Sequence, residues 1–140
     1  MGESFVVDNS IVMSWCFKDE SNPYADSVLD RLAESSALVP SHWPLEVVNV
    51  LLVAERRKRL RQTDGERFLS LLTQLPIIIE GEFPATIMKD LFSLGRAHKL
   101  SSYNACYLEL AIRKSLPLAT LDRELRKAAR SANVPLFPES

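Results

Sequence analysis

Cysteine is nearly absent from this chain: Cys16 and Cys106 are the only two among 140 residues, far apart and in no CxxC or Cys/His spacing. That excludes a disulfide framework and a thiolate zinc site, and reads as two reduced core thiols. Histidine is equally scarce. His42 and His98 stand alone with no partner motif, so catalysis by paired imidazoles has little to rest on, and both read as surface or structural residues. No apolar run approaches a membrane span, and Met1-Gly2-Glu3-Ser4 lacks a basic stretch ahead of an apolar one. The expected location is therefore the cytoplasm, with no membrane partner. A net charge of −1, from 17 basic and 18 acidic side chains, leaves nothing global to mark a nucleic-acid binder. Any such role must come from local clustering. Repeats, low-complexity stretches and Gly/Ser-rich linkers are also missing, so residues 1–140 are expected to form one domain.

What is present is the mix of a soluble globular protein, 46% apolar and 25% charged. Short apolar runs that read as buried strands occur at Phe5-Val7, Ala37-Val39, Ile77-Ile79, Leu118-Ala119 and Leu136-Phe137, separated by segments with helical spacing. Such alternation implies an α/β fold with a mostly parallel sheet covered by helices. Asn22 before Pro23 suits a helix start, Pro44 a first turn, and Thr63, Ser101 and Asp122 suit caps. In folds of this kind ligands bind beyond the carboxyl ends of the strands, where helix N-termini also point.

Four residues near that edge can carry chemistry. Asp8 closes the first strand, Glu46 lies in the first turn of an otherwise apolar helix, Asn104 follows Ser101 by three, and Asp122 follows Leu118-Ala119-Thr120-Leu121. Singly, each has an ordinary structural role: Asp8 and Asp122 as N-caps, Asn104 as a satisfier of open backbone groups, Glu46 as a residue favoured by the helix dipole. Together they are more informative. If they converge, the site offers oxygen ligands and neither His nor Cys, which suits Mg²⁺ or Mn²⁺ rather than zinc. Clustered carboxylates repel one another without a cation, and a divalent ion both relieves that repulsion and activates water for attack on phosphorus.

The blocks Phe5-Val6-Val7-Asp8-Asn9-Ser10 through Ser14-Trp15, Pro44-Leu45-Glu46-Val47-Val48-Asn49, and Leu100-Ser101-Ser102-Tyr103-Asn104-Ala105-Cys106-Tyr107-Leu108 through Leu121-Asp122 resemble the signature blocks of VapC-type PIN domains. The likeness runs essentially end to end. It implies an α/β/α sandwich and a metal-dependent endoribonuclease toxin of a toxin-antitoxin pair. By position Asp8, Glu46 and Asp122 match acidic residues of the family pattern, while Ser10 and Thr120 match its small hydroxyls and are placed with the substrate-binding set. The implied chemistry is hydrolysis of an RNA phosphodiester. Asp8, Asn104 and Asp122 would hold the ion, and Glu46 would orient the nucleophile. A homodimer and a small antitoxin that blocks the site are further implications.

One position departs, since the family has Asp where this chain has Asn104. An amide oxygen can ligate a metal but brings no charge, and its NH₂ end cannot ligate at all. Weakened metal binding or lost activity is expected, whether from a naturally attenuated member or from a deliberate silencing substitution, the second being favoured. A non-cleaving PIN-fold module that binds RNA or antitoxin is the alternative. A signalling receiver is disfavoured, because Ile77-Ile78-Ile79 leads to Glu80-Gly81 rather than a phospho-accepting Asp, and Leu136-Phe137 leads to Pro138 rather than Lys.

Two basic runs complete the inventory. Arg56-Arg57-Lys58-Arg59-Leu60-Arg61 ends the helix that begins near Glu46, as either a solvated terminus or a phosphate- or antitoxin-contacting arm. Arg123 and Arg126 lie beside Asp122 and are the better candidates for RNA backbone contacts. Trp15 is expected in the core, and Trp43 is open between core and base stacking.

Overall fold

A computed structural model describes residues 3–138. The chain runs β1 (Phe5–Val7), α1 (Asn9–Cys16), a 3₁₀ turn (Lys18–Glu20), α2 (Pro23–Arg31), β2 (Ala37–Val39), α3 (Trp43–Arg56) and α4 (Gln62–Thr73). It continues through β3 (Ile77–Ile79), α5 (Ile87–His98), α6 (Ser102–Lys114), β4 (Leu118–Ala119) and α7 (Arg123–Ser131). Local chemistry accounts for most of the starts. Asn22 accepts from the backbone N–H groups of Tyr24 and Ala25 with Pro23 behind it, Ser101 accepts from Asn104 N, and Asp122 from Leu125 N.

The strands form one parallel sheet in the order β3-β2-β1-β4. Phe5 lies opposite Ala37, Val6 opposite Leu118, and Ala37 opposite Ile77. From β1 to β3 the chain steps in one direction, and the return to β4 steps in the other, so the right-handed crossover rule assigns the intervening helices to opposite faces. The packing agrees: α1 contacts α2 and α3, whereas α6 contacts α5 and α7. The result is the expected three-layer α/β/α sandwich. β1, α1 and the middle of α6 are the driest parts, with Phe5, Ile11, Leu108 and Leu110 inaccessible. Cys16 and Cys106 are both unpaired, and burial first of all pushes each thiol up to about 11.

Four expectations need correction. Ile77–Ile79 is a strand but not a buried one, because it is the sheet edge: Ile78 and Ile79 stay 50% and 47% exposed. Leu136-Phe137 is no strand but a single parallel bridge from Leu136 to Leu118, its neighbour Phe137 stacking on Phe5 instead. Thr63 does not cap α4, which begins at Gln62 after Arg61 with no side-chain cap. Trp15 is only partly buried, held by its indole N–H donating to Ala25 O at 2.8 Å. Trp43, left open, is a core residue.

Candidate active site

The order of strands reverses between β1 and β4, the place in an open α/β sheet where ligands bind beyond the carboxyl ends of the strands. Asp8 follows β1 and Thr120 to Asp122 follow β4, so the two segments meet at that edge. Asp8 is the N-cap of α1, almost inaccessible, and is held on three sides. Its Oδ1 accepts from Ser10 Oγ at 2.6 Å and from Ile11 N at 3.3 Å, while Oδ2 accepts from Thr120 Oγ1 at 2.5 Å. A carboxylate has about four acceptor positions, so one is left. Burial raises the Asp8 carboxyl from 3.8 to about 6, the three donors pull against that rise, and the charge of Asp122 adds to it.

The two hydroxyls link the loops. Ser10 Oγ accepts from Leu121 N at 2.9 Å, and Thr120 Oγ1 accepts from Asp122 N at 3.0 Å. Thr120 is wholly buried, so its hydroxyl acts on Asp8 and on the Asp122 backbone rather than on anything in solvent. Asp122 caps α7 through Oδ1, which accepts from Leu125 N, and its Oδ2 lies 3.4 Å from Asn104 Nδ2. α6 delivers Asn104 in its first turn, directly after the Ser101 cap. Asp8, Asn104 and Asp122 are thus brought together.

Glu46 enters from α3 by a different route. The Tyr107 phenol on α6 donates to Glu46 Oε1 at 2.5 Å, and His42 Nε2 lies 2.8 Å from that same oxygen. The imidazole contact is close enough for an ion pair but poorly aligned as a hydrogen bond. Tyr107 is also near enough to Asp8 to feel its charge, which ties the Glu46 side of the site to the β1 side. An open pocket of about 650 Å³ lies in front of Glu46, bordered by His42, Leu45, Asn49 and Tyr103.

The basic residues divide. Arg123 is exposed beside Asp122, whereas Arg126 is half-buried, donating to Thr120 O at 2.8 Å and lying over the Tyr24 ring. In the other basic run Arg59 pairs with Asp19 and Glu20 and covers Phe17, and Arg61 approaches Asp64. These contacts favour a solvated, internally paired terminus there.

The donor set is all oxygen. Among the described residues no three His, Cys, Asp or Glu side chains gather closely enough to hold a metal by themselves, and the cluster comprises two carboxylates and an amide. The vacant acceptor positions on Asp8 and Asp122 and the amide oxygen of Asn104 are hard ligands. That chemistry fits Mg²⁺ or Mn²⁺ with a weakened third ligand.

A family model described as "PIN domain" matches residues 5–131. The chain belongs to the PIN-domain family. It is 29% identical over 120 residues, 86% of this chain and 90% of the relative, to "Ribonuclease VapC3" of Pyrobaculum aerophilum. Among solved structures, PAE2754 from Pyrobaculum aerophilum superposes with a TM-score of 0.68 at 20% identity, over 91% of this chain and 87% of that one. VapBC2 from Rickettsia felis, crystallised with a DNA fragment from its promoter, gives 0.62 at 14% identity over 95% and 96%. A toxin-antitoxin complex from Klebsiella pneumoniae gives 0.55 at 16% identity over 84% and 86%.

Two residues of this PIN domain had no part in the sequence reading of its site. Tyr107 carries no motif signal of its own, though its position three after Asn104 in a helix puts the two on neighbouring turns. His42 read as structural, yet it stands four residues before Glu46 on α3, the spacing at which helical side chains meet. Both signals were in the numbering, but which helix faced which was not.

Proposed function

We propose that this PIN domain is a Mg²⁺- or Mn²⁺-dependent endoribonuclease of toxin type whose activity is limited by Asn104. The observation that carries the reading is the meeting of Asp8, Asn104 and Asp122, all oxygen donors, where the strand order of a PIN domain reverses. The relative whose name includes "Ribonuclease VapC3" supports RNA as the substrate. A small antitoxin is the proposed protein partner, in keeping with the Klebsiella complex, and a second copy of the chain is proposed as the other. No helix among the described residues is long and apolar enough to cross a membrane.

Asp8, Asp122 and the Asn104 carbonyl would hold the ion. Bound there, it would offset the carboxylate charges and activate water toward phosphorus. Ser10 and Thr120 keep the Asp8 carboxylate in one orientation and tie the two loops together. Glu46 orients the attacking water and takes its proton. Arg123, exposed at the rim, attracts the RNA backbone, while Arg126 supports the Thr120 loop from behind.

A non-cleaving binding module is the second reading, favoured by one specific contact: the Asn104 amide nitrogen, which cannot ligate, is the atom that faces Asp122. The experiment that separates the two is cleavage of a mixed RNA pool with Mn²⁺ and with chelator, by the unmodified chain and by Asp8→Asn. Metal-dependent cutting that Asp8→Asn abolishes supports the nuclease. RNA binding with no cutting, under any metal, supports the module.

A further inference from the structure

Glu46 sits in a setting that a surface acid of an apolar helix does not need. Two side chains converge on one of its oxygens: the Tyr107 phenol at 2.5 Å and His42 Nε2 at 2.8 Å, both on Oε1. Among the described residues no contact falls on Oε2. Tyr107 is 1% exposed, so its phenol donates from the interior. His42 is fixed in its turn, its ring edge-on to Tyr107 at 5.3 Å and tilted against Tyr103 at 5.7 Å. The helix that brings Asn104 to the site, α6, also carries the group that grips Glu46, so the two halves of the site share one rigid element.

We infer that Tyr107 and His42 are positioning residues that hold the Glu46 carboxylate by Oε1 and leave Oε2 as the oxygen that serves the reaction. The inference rests on the nuclease reading above and names how its proton-handling acid is oriented. Burial first, and then the Glu46 charge, push the Tyr107 phenol far above the ordinary tyrosine range. Tyr107 therefore stays a donor and never competes as an acid or base. A hydrogen bond to a charged acceptor is among the stronger kinds, so deleting the phenolic oxygen alone should be felt in the rate.

The alternative is that the contact merely staples α6 to α3. A staple would act equally whatever stands at position 46, whereas a positioning residue acts only through Glu46. The test is a cycle of Tyr107→Phe, Glu46→Gln and the double variant, with RNA cleavage measured in Mn²⁺, in the Asn104→Asp background if the unmodified chain is too slow. Tyr107→Phe should lower kcat roughly ten- to hundred-fold. KM should stay nearly unchanged. In the Glu46→Gln background the same change should have little further effect. Equal losses in both backgrounds overturn the inference, as does a loss confined to KM.

A second measurement does not need turnover. With ¹³C-carboxyl-labelled glutamate, the Glu46 resonance, assigned by its disappearance in Glu46→Gln, should move in Tyr107→Phe and in His42→Asn but hold still in Tyr103→Phe. If it ignores Tyr107→Phe, the grip does not exist in solution and the inference fails. If it moves as expected while no form cleaves any RNA, the grip stands and the nuclease reading is what fails.

Discussion

Replacing Asp8 by Asn should stabilise the metal-free protein at alkaline pH and not at acid pH. Asp8 is buried, and its carboxyl is raised from 3.8 to about 6, chiefly by that burial. A folded-state value above the unfolded one means that the folded protein holds this proton more tightly. Its contribution to stability is fully present below about pH 3.8 and is lost as pH climbs through about 6. The rise corresponds to roughly 3 kcal/mol once the carboxylate is ionised. Asn removes the charge but has a single acceptor oxygen, so Ser10 and Thr120 must reorient toward it at a cost of about 1 kcal/mol. The net expected at pH 8 is a gain of about 2 kcal/mol, or roughly 6 to 12 °C in Tm at this chain length. At pH 4 the variant should be equal to the parent or slightly less stable. Thermal unfolding at both pH values, with chelator present, makes the comparison. A difference in Tm that is the same at pH 4 and pH 8 would refute the reasoning, because it would show that no buried charge is being relieved.

Further outcomes follow from the same contacts. Thr120→Val keeps the shape but removes the donor to Asp8 and leaves Asp122 N without its acceptor, so it should cost about 2 to 4 kcal/mol in chemical denaturation at neutral pH, while Thr120→Ser should recover most of that. Arg126→Ala should lower stability by about 1 to 2 kcal/mol, through its lost bond to Thr120 O and its packing on Tyr24, whereas Arg123→Ala should stay within about 0.5 kcal/mol. In RNA-binding titrations Arg123→Ala should flatten the salt slope by about one unit, and Arg126→Ala should leave it nearly unchanged.

Four of the five expected strands and most of the expected caps were legible because they depend on neighbours in sequence. Asp8, Asn22, Ser101 and Asp122 all cap where local chemistry said they could. Thr63 shows the limit of that logic: a residue able to cap does so only if the helix begins beside it, and α4 begins one residue earlier. The exposure of Ile78 and Ile79 was illegible for a different reason, since an isoleucine run looks the same at the edge of a sheet as at its centre. The meeting of Asp8 and Asp122 came from joining two strand-to-helix units at one sheet edge, whereas Asn104 enters from the turn between α5 and α6, which follows no strand. What Ser10 and Thr120 do there, holding Asp8 and each other's loop, depends on which strand lies beside β1, and that pairing is not written in either segment. Tyr107 belongs to the same class, since its partner is 61 positions away.

The most direct test of the account is the substitution Asn104→Asp. The amide nitrogen lies 3.4 Å from Asp122 Oδ2, so a carboxylate in its place sets two anions side by side and should lower the stability of the metal-free protein modestly at neutral pH. With the ion present the extra charge becomes a ligand. Calorimetric titration of Mn²⁺ should show affinity at least about ten-fold tighter in the Asn104→Asp variant, metal should raise its Tm more than that of the unmodified chain, and RNA cleavage should rise with both and vanish in chelator. Equal Mn²⁺ affinity and equal cleavage in the two forms, or cleavage that survives chelator, would contradict the assignment of this cluster as the metal site of a nuclease.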